Sequence, residues 1–362
     1  MGMIRMHTTE STQHAPQQSS VPNENVVSIR RAVIDYQLKR HDIRAIADVN
    51  LTIKRGKITA LVGESGSGKT TLASSILNCI SEPGKLVDGE VVYYGRTPEE
   101  RIVVNQLSKK EAERFRWSKV SMVFQGAQSA LNPVMTIFEQ FKETMKVHGW
   151  DKRARSYEAR SREVLETVNL SADRVLKMYP HELSGGMKQR VMIAFSLLLS
   201  PDLIILDEPT TALDVITQHY IFNILKDINE RMGISMLLLT HDIAIVAKFA
   251  DYVGVMYAGQ MMEFGDTLHV FANKLHPYTR GLINATPTLH GPIEAMKPIE
   301  GSPPDLRKPP AGCRFHPRCP QAVEACRTQV PDDVAVKAEY LVKCQLYAPS
   351  EQLSSEGGHR TS

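Results

Sequence analysis

Ile58-Thr59-Ala60-Leu61-Val62-Gly63-Glu64-Ser65-Gly66-Ser67-Gly68-Lys69-Thr70-Thr71 compresses a strand, a loop and a helix start into one stretch. Ile58 to Val62 is a near-continuous apolar run, the pattern of a strand buried on both faces of a parallel sheet. Gly63 to Thr70 fits the spacing G-x-x-x-x-G-K-S/T, and a helical pattern runs from Thr70 to Leu77. A triphosphate is dense negative charge, and glycines let successive backbone N–H groups curl around it. Only residues without a Cβ fit the dihedrals and the close approach that this needs. Lys69 adds a point charge for the β/γ oxygens, and the Thr70 hydroxyl ligates Mg²⁺. The expected phosphate ligands are Gly63, Glu64, Ser65, Gly66, Ser67, Gly68, Lys69, Thr70 and Thr71.

A second apolar run, residues 203–206, ends in Asp207 and Glu208. Such a strand delivers Asp207 where it can hold Mg²⁺ through water, while Glu208 points differently and can polarise an attacking water. Phosphoryl transfer needs little covalent help, so positioning and charge neutralisation supply most of the rate. Upstream, Leu183-Ser184-Gly185-Gly186-Met187-Lys188-Gln189-Arg190 precedes a helical run, and Ser184 with the two glycines has the form of a helix N-cap open to an anion.

Around these motifs, strand-like runs at 26–34, 45–54, 91–94, 235–239 and 252–256 alternate with helical segments, which indicates a mostly parallel α/β core. Asp88-Gly89-Glu90 is a turn signal, and residues 97–180 are charge-rich with helical periodicity, clearest at 156–168. After His269 the regularity fades and prolines become dense, marking a small, loop-rich C-terminal module. Residues 1–25 offer almost nothing to bury and are expected to be disordered; the last dozen are expected to fray. Lys+Arg 43 against Asp+Glu 40 leaves +3, too mild for a nucleic-acid binder. No run approaches the roughly 18–20 apolar residues of a membrane span. Residues 1–25 also lack the apolar core of a secretory signal, and Met6 breaks the myristoylation pattern. Membrane association is thus expected to come through a protein partner, with the chain on the cytosolic side.

The order of these motifs resembles that of ATP-binding cassette (ABC) ATPases, over about residues 26–266. Leu183 to Arg190 is similar to the family's signature motif, contributing Ser184, Gly185, Gly186 and Gln189. Gln125 in Val123-Phe124-Gln125 resembles the Q-loop glutamine, a Mg²⁺ ligand together with Thr70 and Asp207. Ala212-Leu213-Asp214 resembles the D-loop, and His241, in Leu237-Leu238-Leu239-Thr240-His241-Asp242, the switch histidine. Tyr36 lies where the family places a ring that stacks on adenine. The resemblance implies an α/β, P-loop ABC-type nucleotide-binding domain with an inserted helical subdomain and a C-terminal module. The boundaries are cassette 26–270, with the helical subdomain at about 97–182, and module 271–349. It also implies ATP hydrolysis with Glu208 as general base, and Gln125 and His241 beside it. Two subunits would pair head to tail, each ATP lying between one phosphate loop and the other subunit's Ser184 to Gly186. After Gln125 the chain reads Gly126-Ala127-Gln128-Ser129-Ala130-Leu131-Asn132-Pro133, where relatives more often show an acidic residue and proline next.

His276-Pro277-Tyr278-Thr279-Arg280 and the stretch Pro309-Pro310-Ala311-Gly312-Cys313-Arg314-Phe315-His316-Pro317-Arg318-Cys319-Pro320 resemble the tail of oligopeptide/dipeptide-type importer ATPases. That implies import of a peptide, or of nickel or an oligosaccharide, at the cytoplasmic face of the membrane. The implied partners are a second ATPase subunit, two transmembrane permeases and an extracellular solute-binding protein. Cys313, Cys319, Cys326 and Cys344 are spaced C-x5-C-x6-C-x17-C, without the C-x2-C pair of a zinc ribbon. Four thiolates there could hold an iron–sulfur cluster, and the resemblance implies a 4Fe–4S centre in some members. The alternative is four reduced cysteines filling a small core. A soluble ABC ATPase uncoupled from transport is the competing function. Its repair and chromosome-structure forms need long coiled coils, and Lys69 to Ser184 carries no sustained heptads.

Overall fold

Residues 58–62 form strand β3 (Ile58–Val62), and all of its residues are buried. The computed structural model describes residues 23–39, 41–97, 99–126, 129–151, 155–211, 213–285 and 299–348. Residues 1–22 of the expected leading tail, the expected trailing tail 350–362, and Ala212 lie outside the described residues.

Beside β3 run β6 (Val120–Val123), β7 (Leu203–Asp207), β8 (Ser235–Thr240) and β9 (Tyr252–Tyr257), parallel in the order β9-β3-β8-β7-β6. Successive residues of a strand point to opposite faces. Leu61, Leu203, Ile205, Leu237 and Leu239 accordingly pack into one apolar cluster, and Ala60, Val62, Ile204, Leu206, Met236 and Leu238 into another. Both faces being covered, the strands read as unbroken apolar runs rather than alternating ones. One cover is an antiparallel sheet of β1 (Asn25–Gln37), β2 (Asp42–Lys54), β4 (Gly84–Tyr94) and β5 (Arg101–Val103), together with helix α1 (Lys69–Ile76). On the other lie α3 (Ile137–Val147), α4 (Tyr157–Thr167), α6 (Gly185–Leu197) and α7 (Val215–Met232).

Local chemistry sets the helix starts. Ser108 and Thr136 form capping boxes with Glu111 and Glu139 ahead of α2 (Lys109–Ser118) and α3. Ser156, Ser184 and Asp214 cap α4, α6 and α7. Arg160 on α4 is 3% exposed. Its guanidinium donates to the Leu197 and Leu198 carbonyls and the Ser200 hydroxyl, joining α4 to the negative end of α6.

Three expectations are corrected. Residues 97–180 are not helical throughout: β5 and β6 lie among α2, α3, α4 and α5 (Ala172–Val175), and β6 completes the parallel ladder. Four residues are too few for a period to show against charged flanks. The Asp88-Gly89 turn signal falls inside β4, where Gly89 (φ 92°) accommodates a register shift against β1; a Cβ there would lie 2.5 Å from the Arg31 carbonyl oxygen. Regular structure also continues past residue 269. α8 (Ile243–Phe249) and β10 (Gln260–Asp266) are followed by α9 (Thr267–Asn273), α10 (Pro277–Asn284), α11 (Ala325–Thr328), β11 (Val334–Lys337) and β12 (Tyr340–Val342). β12 pairs with β10, so the last strands extend the same sheet.

Tyr257, Tyr278 and Phe315 pack ring against ring, with centroids 4.6–5.2 Å apart, joining β9 to the C-terminal segment. His276 caps α10, its Nδ1 accepting from the Tyr278 N–H at 3.0 Å, and is 1% exposed. Burial pushes its pKa down to about 3. The unfolded chain therefore binds this proton more tightly than the folded one, and stability is lost as pH falls from the ordinary value of about 6.5 towards 3. His276→Asn retains a capping oxygen without the buried base. Its melting temperature, measured across this window, is expected to fall less steeply with acidification than that of the parent; an identical slope would remove His276 as a source of acid lability.

Candidate functional site

The phosphate loop leaves β3 under tight steric control. Gly63 (φ 148°) has the Met256 carbonyl oxygen 2.1 Å from where a Cβ would sit, so no other residue fits. Gly68 (φ 99°) caps α1, and a Cβ there would meet Ile46 Cδ1 at 2.6 Å. Lys69 is buried, and its ammonium donates to the Gly63 and Glu64 carbonyls at 2.7 and 3.1 Å and to Ser67 Oγ at 3.3 Å. Burial lowers its pKa, opposed by the carboxylates of Glu208, Asp207 and Glu64. The loop thus folds about one cation. Ser65, Gly66 and Thr70 are exposed, Ser67 is buried, and Thr71 is half-buried.

Asp207, at the end of β7, accepts from Thr70 Oγ1 at 2.8 Å, and its burial raises its pKa. Glu208 follows in a left-handed conformation (φ 46°), its N–H held by the Leu239 carbonyl at 2.9 Å. That twist gives the two adjacent carboxylates different partners. The Glu208 carboxylate accepts from Gln125 Nε2 at 3.1 Å and Thr211 Oγ1 at 3.0 Å, and His241 Nδ1 lies 3.2 Å away. Gln125 and His241, distant in sequence, are brought together on Glu208, while Asp207 beside it is joined to Thr70. Thr211, three residues after Glu208, belongs to none of the motifs above, and the structure alone gives its hydroxyl a place at the same carboxylate.

Other expected residues stand elsewhere. Ser184 Oγ accepts from the Met187 N–H at 3.3 Å, and residues 184–186 line a cavity of about 400 Å³ with Leu213, Asp214, Thr217 and Tyr220. Among the described residues, no hydrogen bond joins them to the phosphate loop. Asp214 accepts from the backbone and hydroxyl of Thr217 at 2.9 and 2.7 Å. Gln189 is 4% exposed, enclosed in the body of the protein. The Glu64 carboxylate is engaged by Arg318, so only its backbone faces into the loop hydrogen bonds described above. Tyr36 is half-buried near the end of β1, paired with Ile43 and Gly84; two residues earlier, Ile34 pairs with the Ile46 that packs on Gly68.

Cys313, Cys326 and Cys344 are buried, Cys319 is half-buried, and all four are free thiols. Burial, with neighbouring thiols adding to it, pushes Cys313 and Cys344 up to about 11. The Cys313 N–H donates to the Cys326 carbonyl at 2.9 Å, and these two with Cys319 belong to one packed cluster. Among the described residues, however, no group of three or more His, Cys, Asp or Glu side chains is arranged to hold a metal ion.

Residues 46–211 match the family model described as "ABC transporter", and residues 262–326 the one described as "Oligopeptide/dipeptide transporter, C-terminal region". A relative named "Dipeptide transport ATP-binding protein DppD", from Caldanaerobacter subterraneus subsp. tengcongensis, is 41% identical over 88% of this chain and 96% of its own. The chain belongs to the ABC transporter family. "Oligopeptide transport ATP-binding protein OppD" from Escherichia coli is 39% identical over 84% of this chain and 89% of its own. Among solved structures, the ATP-binding cassette MJ0796 in a post-hydrolysis dimer bound to ADP and Pi is 32% identical, with a TM-score of 0.55 over 67% of this chain and 98% of that one. This ABC subunit binds and hydrolyses ATP. Among its described residues no helix is long and apolar enough to cross a membrane.

Asp207 carries a testable cost. Its raised pKa means that the folded, nucleotide-free protein binds this proton more tightly than the unfolded chain does, so the contribution to stability present below the ordinary carboxylate value is lost as pH rises above it. Asp207→Asn keeps an oxygen for Thr70 and removes the buried charge. The nucleotide-free variant is expected to melt a few degrees above the parent at pH 7 while losing Mg²⁺-dependent nucleotide stabilisation. A lower melting temperature would show that the ionised carboxylate stabilises the fold.

Proposed function

We propose that this ABC subunit drives peptide import through two membrane-embedded permeases served by an extracellular solute-binding protein, working from the cytoplasmic face of the membrane. The observation that carries the mechanism is the separation of the Ser184-Gly185-Gly186 donors from the Lys69 loop of the same chain. Donors that cannot complete their own site can complete that of a second ATPase subunit. Each ATP would then lie between one chain's residues 63–71 and the partner's residues 184–186, with Asp214 beside that junction and the Tyr36 ring against adenine. Support for a membrane partner comes from exposed apolar side chains in the sequence around Gln125: its neighbour Phe124 is 53% exposed, and Val134, nine residues further on, 79%. The peptide cargo follows the names of the relatives and the C-terminal match. The same reading divides the chain into a cassette, residues 26–270, and a C-terminal module, residues 271–349.

Within the site, Lys69 and the loop N–H groups hold the β- and γ-phosphates. Thr70 and Asp207, with Gln125 nearby, are hard oxygen donors that fit Mg²⁺, which when bound neutralises phosphate charge. Glu208 accepts the proton of the attacking water, oriented by Gln125 and by His241, whose side chain is 71% exposed and free to meet a γ-phosphate or the partner subunit. Glu208→Gln is expected to bind ATP normally and to lose at least about 100-fold in turnover; substantial residual hydrolysis would move the general base elsewhere. Purifying the tagged chain from gently solubilised membranes tests the transport reading. Co-purifying permeases, with ATPase activity stimulated by peptide-loaded binding protein, would support it. Stimulation by an oligosaccharide or nickel instead would reassign the cargo, and the absence of any membrane partner would favour a soluble ABC ATPase.

The four cysteines suit a 4Fe–4S cluster in donor chemistry, being free thiols of which three are buried and one half-buried, while their present arrangement is not a ligating one. Protein isolated without oxygen is expected to contain about four iron and four sulfide per chain. Four titratable thiols without iron would assign the cysteines to packing alone.

A further inference from the structure

We infer that Arg318, Tyr278 and Arg314 are positioning residues for the phosphate loop, so that the segment following the cassette sets the affinity of the ATP site. The inference rests on the reading of residues 63–71 as that site. Arg318 is the centre of the arrangement. Its side chain is 5% exposed, and each of its five N–H donors has an acceptor. Nη1 and Nη2 donate to the two Glu64 oxygens at 2.7 and 3.0 Å, a bidentate pair with the second residue of the loop. Nε and Nη2 donate to the Glu300 and Ile299 carbonyls at 2.8 and 3.2 Å, and Nη1 to the Tyr257 hydroxyl at 3.2 Å. The fork is therefore fixed to its own segment and to β9, and presents a rigid edge to Glu64.

Two further arms converge on the same loop. The Tyr278 hydroxyl accepts from the Glu64 N–H at 3.0 Å. Arg314, buried at 7% exposure, donates through Nη1 to the Ala258 carbonyl, and the next residue, Gly259, donates its N–H to the Ser67 carbonyl at 2.9 Å. Side chain and backbone of Glu64 are thus both tied from outside the cassette, and Ser67 is reached through one intervening turn. A loop containing Gly63, Gly66 and Gly68, all at positive φ, is intrinsically free to rearrange. Tethers that hold it in one form reduce the ordering cost of binding a phosphate chain.

The test measures binding of a fluorescent nucleotide, trinitrophenyl-ATP, to the full chain, alongside thermal melts. Arg318→Gln and Glu64→Gln are each expected to weaken binding about tenfold, and the double variant no further than either alone, because one ion pair is removed in all three. Tyr278→Phe, which keeps the ring and loses only the hydroxyl, is expected to weaken binding about threefold. Arg318→Lys keeps the charge but loses the fork, and should fall between parent and Arg318→Gln. A lowered melting temperature with nucleotide affinity unchanged, or single effects that add in the double variant, overturns the inference. If Arg318→Gln does not fold, Glu64→Gln and Tyr278→Phe decide it alone. Lys69→Ala separates the two levels: parent protein that does not bind, or a Lys69→Ala variant that binds as well as the parent, sinks the site reading and this inference with it. Normal parent binding with insensitive Glu64 and Tyr278 variants sinks only the inference.

Discussion

The contact between Gly63 and the Met256 carbonyl is the constraint on which the rest of the site depends. With 2.1 Å between that oxygen and a would-be Cβ, the phosphate loop leaves β3 pressed against β9, and its position is set by the sheet rather than by the loop itself. The sheet in turn is fixed by burial on both faces, with alternate residues of β3, β7 and β8 feeding two separate apolar clusters. A one-residue slip would exchange every side chain between those clusters. The ends of β3, β7 and β8 therefore keep their relative register, and Lys69, Asp207 and His241 follow from it without needing to find one another.

What the sheet positions, it also loads with unfavourable charge. Lys69 and Asp207 are both buried and both shifted towards their neutral forms by desolvation. Internal partners soften this: the ammonium sits on loop carbonyls, and the Thr70 hydroxyl sits on Asp207. Neither partner is an opposite formal charge, so the site keeps unspent attraction for phosphate and for a divalent cation. Glu208 is treated differently. Its positive φ turns it away from Asp207 into contact with Gln125, Thr211 and His241, so two adjacent carboxylates are kept on separate tasks.

Much of this was legible in the sequence because the constraint is local. A five-residue apolar strand, a glycine loop and a helix start are consecutive, and Ile58–Val62 is the strand that its composition predicts. Asp207 and Glu208 were legible for the same reason, as acids ending a buried strand. β6 was not, because four residues hold no periodicity of their own and owe their strand state to β7 beside them. Gly89 misled, since a bulge and a turn use the same glycine dihedral. Thr211 carries no motif that separates it from any other hydroxyl, and only the geometry of Glu208 gives it a role. The arginine contacts to the loop were invisible because their partners lie more than two hundred residues apart.

That separation bears on how the C-terminal segment works. An ion pair between exposed side chains contributes little, because ordering two long chains offsets the Coulomb gain. Arg318 avoids most of this loss: its carbonyl partners and the Tyr257 ring hold the guanidinium in place whether or not Glu64 is present. The segment that carries it is itself anchored twice, by the pairing of β12 with β10 and by the packing of Phe315 against both Tyr257 and Tyr278. β10 directly follows the Ala258-Gly259 turn that holds Ser67. The loop is consequently gripped by two routes that share one rigid base, and a displacement of that base would move both together. Coupling of this kind needs no moving part within the cassette, only a C-terminal segment packed firmly enough to transmit its position to Glu64.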